Sequence, residues 1–135
     1  MLQSLPAAMA KAKILIVDDD QDIRRLLGHR LKADDYETVF ASDAITAVNM
    51  ARKEEPDLIL LDLGLPAGDG YVVMERLRAM PALEGIPIII VTARDVRAEQ
   101  EQAALAGADA IFPKPFEHEG LVAAIRSALG EPAAG

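Results

Sequence analysis

Residues Leu58–Asp62 read LILLD, four apolar residues in succession closed by an acid. The pattern recurs at Ile14–Asp18 (ILIVD), and at Ile88–Thr92 (IIIVT) a hydroxyl replaces the acid. None of these runs alternates as a half-exposed strand does. Unbroken short runs rich in Ile and Val mark strands buried on both faces, which means a parallel sheet covered by helices. Glu37–Phe40 and Ala110–Phe112 are weaker strand candidates.

Stretches with helical spacing lie between the strands. Ile23, Leu26, Leu27 and Leu31 form one apolar stripe, and Leu121, Val122, Ile125 and Leu129 form another. Ala44, Ala47, Val48 and Ala51 give a narrower face, and Val73, Leu77 and Met80 a third kind after Gly70. Val96–Ala106 is helical by propensity more than by pattern. Caps are expected at Asp20, Ser42 and Asp95, and Gly107 follows the fourth helix where a left-handed residue is favoured. Asp69 and Gly70 suit a turn and a helix start. The order is βαβαβαβαβα, a doubly wound α/β fold with helices on both faces of one parallel sheet. Residues 1–12 read as a lead-in, 13–130 as one domain and 131–135 as a tail.

Composition narrows the function. A length of 135 residues is one domain, and 51% hydrophobic content argues against disorder. A net charge of −8 repels polyanions, so direct nucleic-acid binding is not expected. No apolar run approaches the ~20 residues needed to span a bilayer. The absence of cysteine excludes disulfides and thiolate metal sites. The expected address is the cytoplasm.

Four strands end in residues that a buried sheet would reject: Asp18, Asp19 and Asp20, then Asp62, Thr92 and Lys114. In a parallel sheet these ends share one edge, where open α/β folds place their ligands. Carboxylates about 4 Å apart repel by roughly 4 kcal/mol at an effective dielectric near 20. A hard divalent cation such as Mg2+ relieves this, and Asp18, Asp19 and Asp62 are its candidate ligands. No His or Cys accompanies them, which argues against zinc or copper. A carboxylate beside Mg2+ can attack a phosphoryl group, with Lys114 as a point charge and Thr92 as a neutral donor to the phosphoryl oxygens. Asp20 is better read as a helix cap. His29, His118 and Arg94 read as surface residues, and Met50, Met74 and Met80 as packing.

KILIVDDD (13–20), DLILLDLGLPAGDG (57–70), IPIIIVTAR (86–94) and GADAIFPKPF (107–116) resemble, in order and separation, the signature blocks of response-regulator receiver domains of two-component systems. The resemblance covers Lys13 to Leu129. It implies strand order 2-1-3-4-5, Asp62 as phosphoacceptor, Asp19 as direct Mg2+ ligand and Asp18 as supporting acid. It further implies the Gly64 backbone carbonyl as a third protein ligand, Thr92 and Lys114 as the residues that respond to the phosphoryl group, and a cis Lys114–Pro115 bond. Members receive phosphate from a sensor histidine kinase or phosphotransfer protein. They signal to an effector protein through the face of the fourth helix, fifth strand and fifth helix, and some dimerise. Their only chemistry is self-catalysed phosphotransfer and acyl-phosphate hydrolysis. Two departures stand out: Gly64 and Arg94 occupy two positions that, by the resemblance, tune acyl-phosphate lifetime, and Ile111 stands where many members carry a switching Tyr or Phe. Phe112 should face the other way, because strand side chains alternate.

Two other readings compete with the phosphorelay switch. A phosphohydrolase would want a second acid two residues after its nucleophile, and Gly64 stands there. A receiver-like interaction module that is never phosphorylated would be expected to lose the acid pair or the lysine, and both are present.

Overall fold

The computed structural model describes residues 11–131, so all but the last two residues of the lead-in and all but Glu131 of the tail lie outside the described residues. The strands are β1 (Lys13–Val17), β2 (Glu37–Ala41), β3 (Leu58–Leu61), β4 (Ile88–Thr92) and β5 (Ala110–Pro113). The helices are α1 (Gln21–Ala33), α2 (Ala44–Glu54), α3 (Gly70–Arg78), α4 (Val96–Leu105) and α5 (His118–Leu129). All pairings are parallel and the sheet order is β2-β1-β3-β4-β5, as the resemblance implied.

Alternation along the buried strands explains their unbroken apolar runs. Leu15, Val17, Ile59, Leu61, Ile88 and Ile90 face one core, filled from outside by α2, α3 and Ala103 of α4. Ile14, Ile16, Leu58, Leu60, Ile89 and Val91 face the second core, under α1 and α5. Each residue of β3 is buried, because each has a helical layer to meet. The two weaker candidates are the outer strands β2 and β5, whose residues are mostly half-buried or exposed. Ile111 packs on the first core and Phe112 on the second, as alternation requires.

Three local expectations need correction. The cap of α2 is Asp43, not Ser42: its carboxylate accepts from Thr46 N at 2.7 Å, and Ser42 lies one residue too early to reach that turn. Leu26 leaves the buried stripe of α1 and is 41% exposed, since Ile23, Leu27 and Leu31 already occupy the side turned to the sheet. His118 is not a free surface residue; its Nε2 lies 3.0 Å from Asp34 Oδ2 at the end of α1. Asp20 and Asp95 do cap α1 and α4, and Gly107 adopts φ 94° after α4. Among the described residues, no helix is long and apolar enough to cross a membrane.

Candidate phosphoryl and metal site

The C-terminal ends of β1, β3, β4 and β5 bring the acids, the hydroxyl and the amine to one edge, in register. Asp18 continues β1, donating its N–H to Ala41 O at 3.1 Å, and Asp62 continues β3, donating its N–H to Val17 O at 2.9 Å. Lys114 follows β5, with its N–H on Thr92 O at 2.8 Å, and its bond to Pro115 is cis. The backbone ladder thus delivers all four functional groups before any side chain makes a choice.

Lys114 Nζ then joins the two buried acids, at 2.5 Å from Asp18 Oδ2 and 3.3 Å from Asp62 Oδ2. Asp18 is 2% exposed and Asp62 7%, so neither is screened as a surface acid would be. Asp19 is exposed, and one carboxylate oxygen from each of Asp18, Asp19 and Asp62 falls within 4.8 Å of the others. That is an all-oxygen donor set open to water on the Asp19 side, the surroundings that Mg2+ prefers. Gly64 N donates to Asp62 Oδ1 at 3.3 Å, so the residue expected to lend its carbonyl sits directly beside Asp62.

One ammonium shared by two acids has electrostatic consequences. Burial pushes the Asp18 carboxyl up, and the Lys114 hydrogen bond offsets this only in part. Burial would lower Lys114, yet its hydrogen bond to Asp18 and the charges of Asp18 and Asp62 outweigh it and push the amine up. The amine faces two carboxylates while each carboxylate has half a lysine, so the lysine is held firmly charged. The site is short of positive charge.

Several residues outside the expected set hold it in place. Arg24 of α1 donates to Asp18 O at 2.7 Å. Gly70 lets α3 press on the end of β3: a Cβ there would lie 2.6 Å from Asp62 O and 2.9 Å from Leu63 Cα. Arg94 only half matches the surface reading, for its guanidinium pairs with Asp69 Oδ2 at 2.6 Å and approaches Leu63 O at 3.5 Å. Arg24 left a trace in the sequence as a cation one turn into the helix that follows the acids, Gly70 as a helix start, and Arg94 only through the family position it occupies. A groove of about 720 Å³ beside α5, lined by Asp34, His118, Val122 and Arg126 among others, shares no lining residue with this site.

Comparison with known proteins points the same way. The family model of the response regulator receiver domain matches residues 14–126. The response regulator PleD of Caulobacter vibrioides is 40% identical over 116 residues, which are 86% of this chain and 26% of PleD. The response regulator MprA of Mycobacterium leprae is 38% identical over 117 residues, 87% of this chain and 50% of MprA. The chain thus spans half or less of these curated relatives. Among solved structures, the receiver domain of the sensor histidine kinase PA1611 of Pseudomonas aeruginosa, with a magnesium ion coordinated in its active-site cleft, superposes with TM-score 0.82 at 30% identity. That match covers 90% of this chain and all (100%) of the other. The chemotaxis protein CheY4 of Vibrio cholerae gives TM-score 0.82 at 28% identity, covering 88% of this chain and 99% of CheY4.

Proposed function

Because this chain belongs to the response regulator receiver domain family, and so is a receiver of phosphorelay signalling, we propose that Asp62 is its phosphoacceptor. The carrying observation is the Lys114 ammonium held between Asp18 and Asp62, with Asp19 close by.

A carboxylate oxygen of Asp62 attacks the phosphorus of a phosphohistidine on a sensor kinase or phosphotransfer protein. The P–O bond forms as the P–N bond breaks, and the donor imidazole keeps the electron pair and takes up a proton. Lys114 and the Thr92 hydroxyl meet the charge on the phosphoryl oxygens. Asp18, Asp19 and Asp62, with the Gly64 carbonyl, are the residues that would hold Mg2+. When bound, Mg2+ supplies the positive charge this acidic edge lacks. The acyl phosphate later returns by hydrolysis, so the chain's own chemistry is limited to taking and losing one phosphoryl group. The phosphorylated state favours one of two conformations, read by an effector protein on the α4–β5–α5 face or by a second copy of the chain. Such a relay works in the cytoplasm, where phosphohistidine donors are made.

The unphosphorylated interaction module is the weaker reading, since Asp18, Asp62 and Lys114 are all present and in contact. Incubation with acetyl phosphate, or with beryllofluoride, in the presence of Mg2+ decides between them. Intact-mass spectrometry should show one added phosphoryl group in the wild type and none in Asp62→Ala. Equal gain of the phosphoryl group by the two proteins would remove Asp62 from the role.

A further inference from the structure

Resting on the reading of Asp62 as phosphoacceptor, we propose that Arg94 tethers the start of α4 to the loop beside Asp62, and that a phosphoryl group at Asp62 releases this tether.

The tether is a closed ring of polar contacts. Arg94 Nη2 holds Asp69 Oδ2 at 2.6 Å, while Nη1 lies 3.7 Å from Glu99 Oε1. The other Asp69 oxygen caps α3 by accepting from Tyr71 N at 2.8 Å. Tyr71 in turn donates its hydroxyl to the same Glu99 oxygen at 2.8 Å. Four residues therefore join the β3–α3 loop, the first turn of α3, the β4–α4 loop and the first turn of α4.

Little else holds that part of α4. The helix buries only Ala103, near its far end, and its first turn carries no buried apolar residue. An element with so little buried surface opens at low cost, so its position follows its polar contacts. Ile111, on the neighbouring strand, is aliphatic and offers α4 no hydrogen bond.

Two links connect the ring to the phosphoryl position. Arg94 N donates to Thr92 Oγ1 at 3.0 Å, and Thr92 is 1% exposed. A Thr92 hydroxyl moved to another staggered rotamer to meet a phosphoryl oxygen breaks this bond and frees the backbone of Arg94 from the end of β4. The Arg94 guanidinium also lies 3.5 Å from the carbonyl of Leu63, the residue after Asp62. A dianionic phosphoryl group there competes for a cation already shared by two carboxylates. Both effects pull Arg94 from Glu99, and without that cation the unburied first turn of α4 moves off and the Tyr71–Glu99 contact opens with it.

Tyr71 is a built-in reporter, since the chain has 2 tyrosines and no tryptophan. In a Tyr36→Phe background, emission comes from Tyr71 only, and the Glu99 carboxylate accepting from its phenol quenches it. Saturation with Mg2+ and beryllofluoride, followed by fluorine NMR of the bound reagent, should raise that emission and speed amide exchange in α4. Tyr71→Phe alters no charge and should tighten beryllofluoride binding about two- to fivefold, the linkage expected for a half-exposed contact closed only in the free state. Adding Glu99→Gln to Tyr71→Phe should tighten binding less than the two changes do separately, because both open one ring. A merely structural Tyr71 would lower thermal stability in the variant without tightening binding. Reagent bound at Asp62 with Tyr71 emission, α4 exchange and variant affinity all unchanged overturns the tether and leaves the phosphoacceptor standing. Failure of the reagent to bind overturns both.

Discussion

The two ends of the same sheet handle acids in opposite ways. At the N-terminal edge, Asp57 sits just before β3 and clasps the first residue of β1: Lys13 N donates to Asp57 Oδ2 at 2.7 Å, and Asp57 N donates to Lys13 O at 2.7 Å. Asp109, just before β5, repeats the clasp on β4, with Ile88 N on Asp109 Oδ2 at 2.9 Å and Asp109 N on Ile88 O at 2.8 Å. These acids are exposed and finish the backbone ladder. At the C-terminal edge, Asp18 and Asp62 are buried, and Lys114 is the ammonium they divide. An exposed acid whose carboxylate is taken up by the backbone of the neighbouring strand is structural. Two buried acids that divide one cation make an electrostatically unbalanced edge, and arrangements of that kind gather at functional sites.

The sharpest way to break the contrast is Lys114→Met. It strands two buried carboxylates, and urea unfolding without divalent cation should show a loss of about 3 kcal/mol. Part of this should return when Mg2+ is added, because a bound cation stabilises the folded state. No return would mean that the acids do not share a metal.

Gly70→Ala comes next, at about 2 kcal/mol, because its new methyl meets Asp62 O and Leu63 Cα. It should also slow phosphoryl uptake from acetyl phosphate, since the displaced atoms belong to the strand end that carries Asp62, the proposed acceptor. Gly85→Ala, close to where β4 begins, meets nothing within 4 Å and should stay within about 0.5 kcal/mol of wild type. Equal losses for the two glycines would erase the difference between the edges.

Asp109→Ala removes one clasp and should cost about 1 kcal/mol. Mg2+ affinity by calorimetry should be unchanged, and any weakening would show that the two edges are coupled. The smallest effect is alkaline. Tyr36, just before β2, is pushed up to about 12 by burial and by its hydrogen bond to Glu131, with Arg126 pulling the other way. A folded value above the ordinary 10 means that its contribution is whole below pH 10 and fades as the pH climbs toward 12. Tyr36→Phe should flatten the stability profile over that window, and an unchanged slope would assign the alkaline loss to other groups.

Legibility followed distance along the chain. The strands β1, β3 and β4 could be read because burial on two faces leaves an unbroken apolar run. The outer strands β2 and β5 were fainter because one flank is open. Ser42 and Asp43 are adjacent and both suit a cap, so only the backbone angle at the start of α2 chose between them. Arg94 was marked only by the family position it occupies; its partners were not legible, for a lone arginine after a strand resembles any solvated charge until α3 and α4 bring Asp69 and Glu99 to it.

Local pattern was enough to specify the α/β alternation, the acid-tipped strands and the residue types at the edge, because periodicity and strand ends involve near neighbours alone. It could also point to the family, since four short blocks kept their order and separation. Which charges meet was left to the assembled fold. Lys114 reaches Asp18 across 96 positions and Asp62 across 52. Contacts of that span depend on sheet register and helix approach, and no local pattern encodes either.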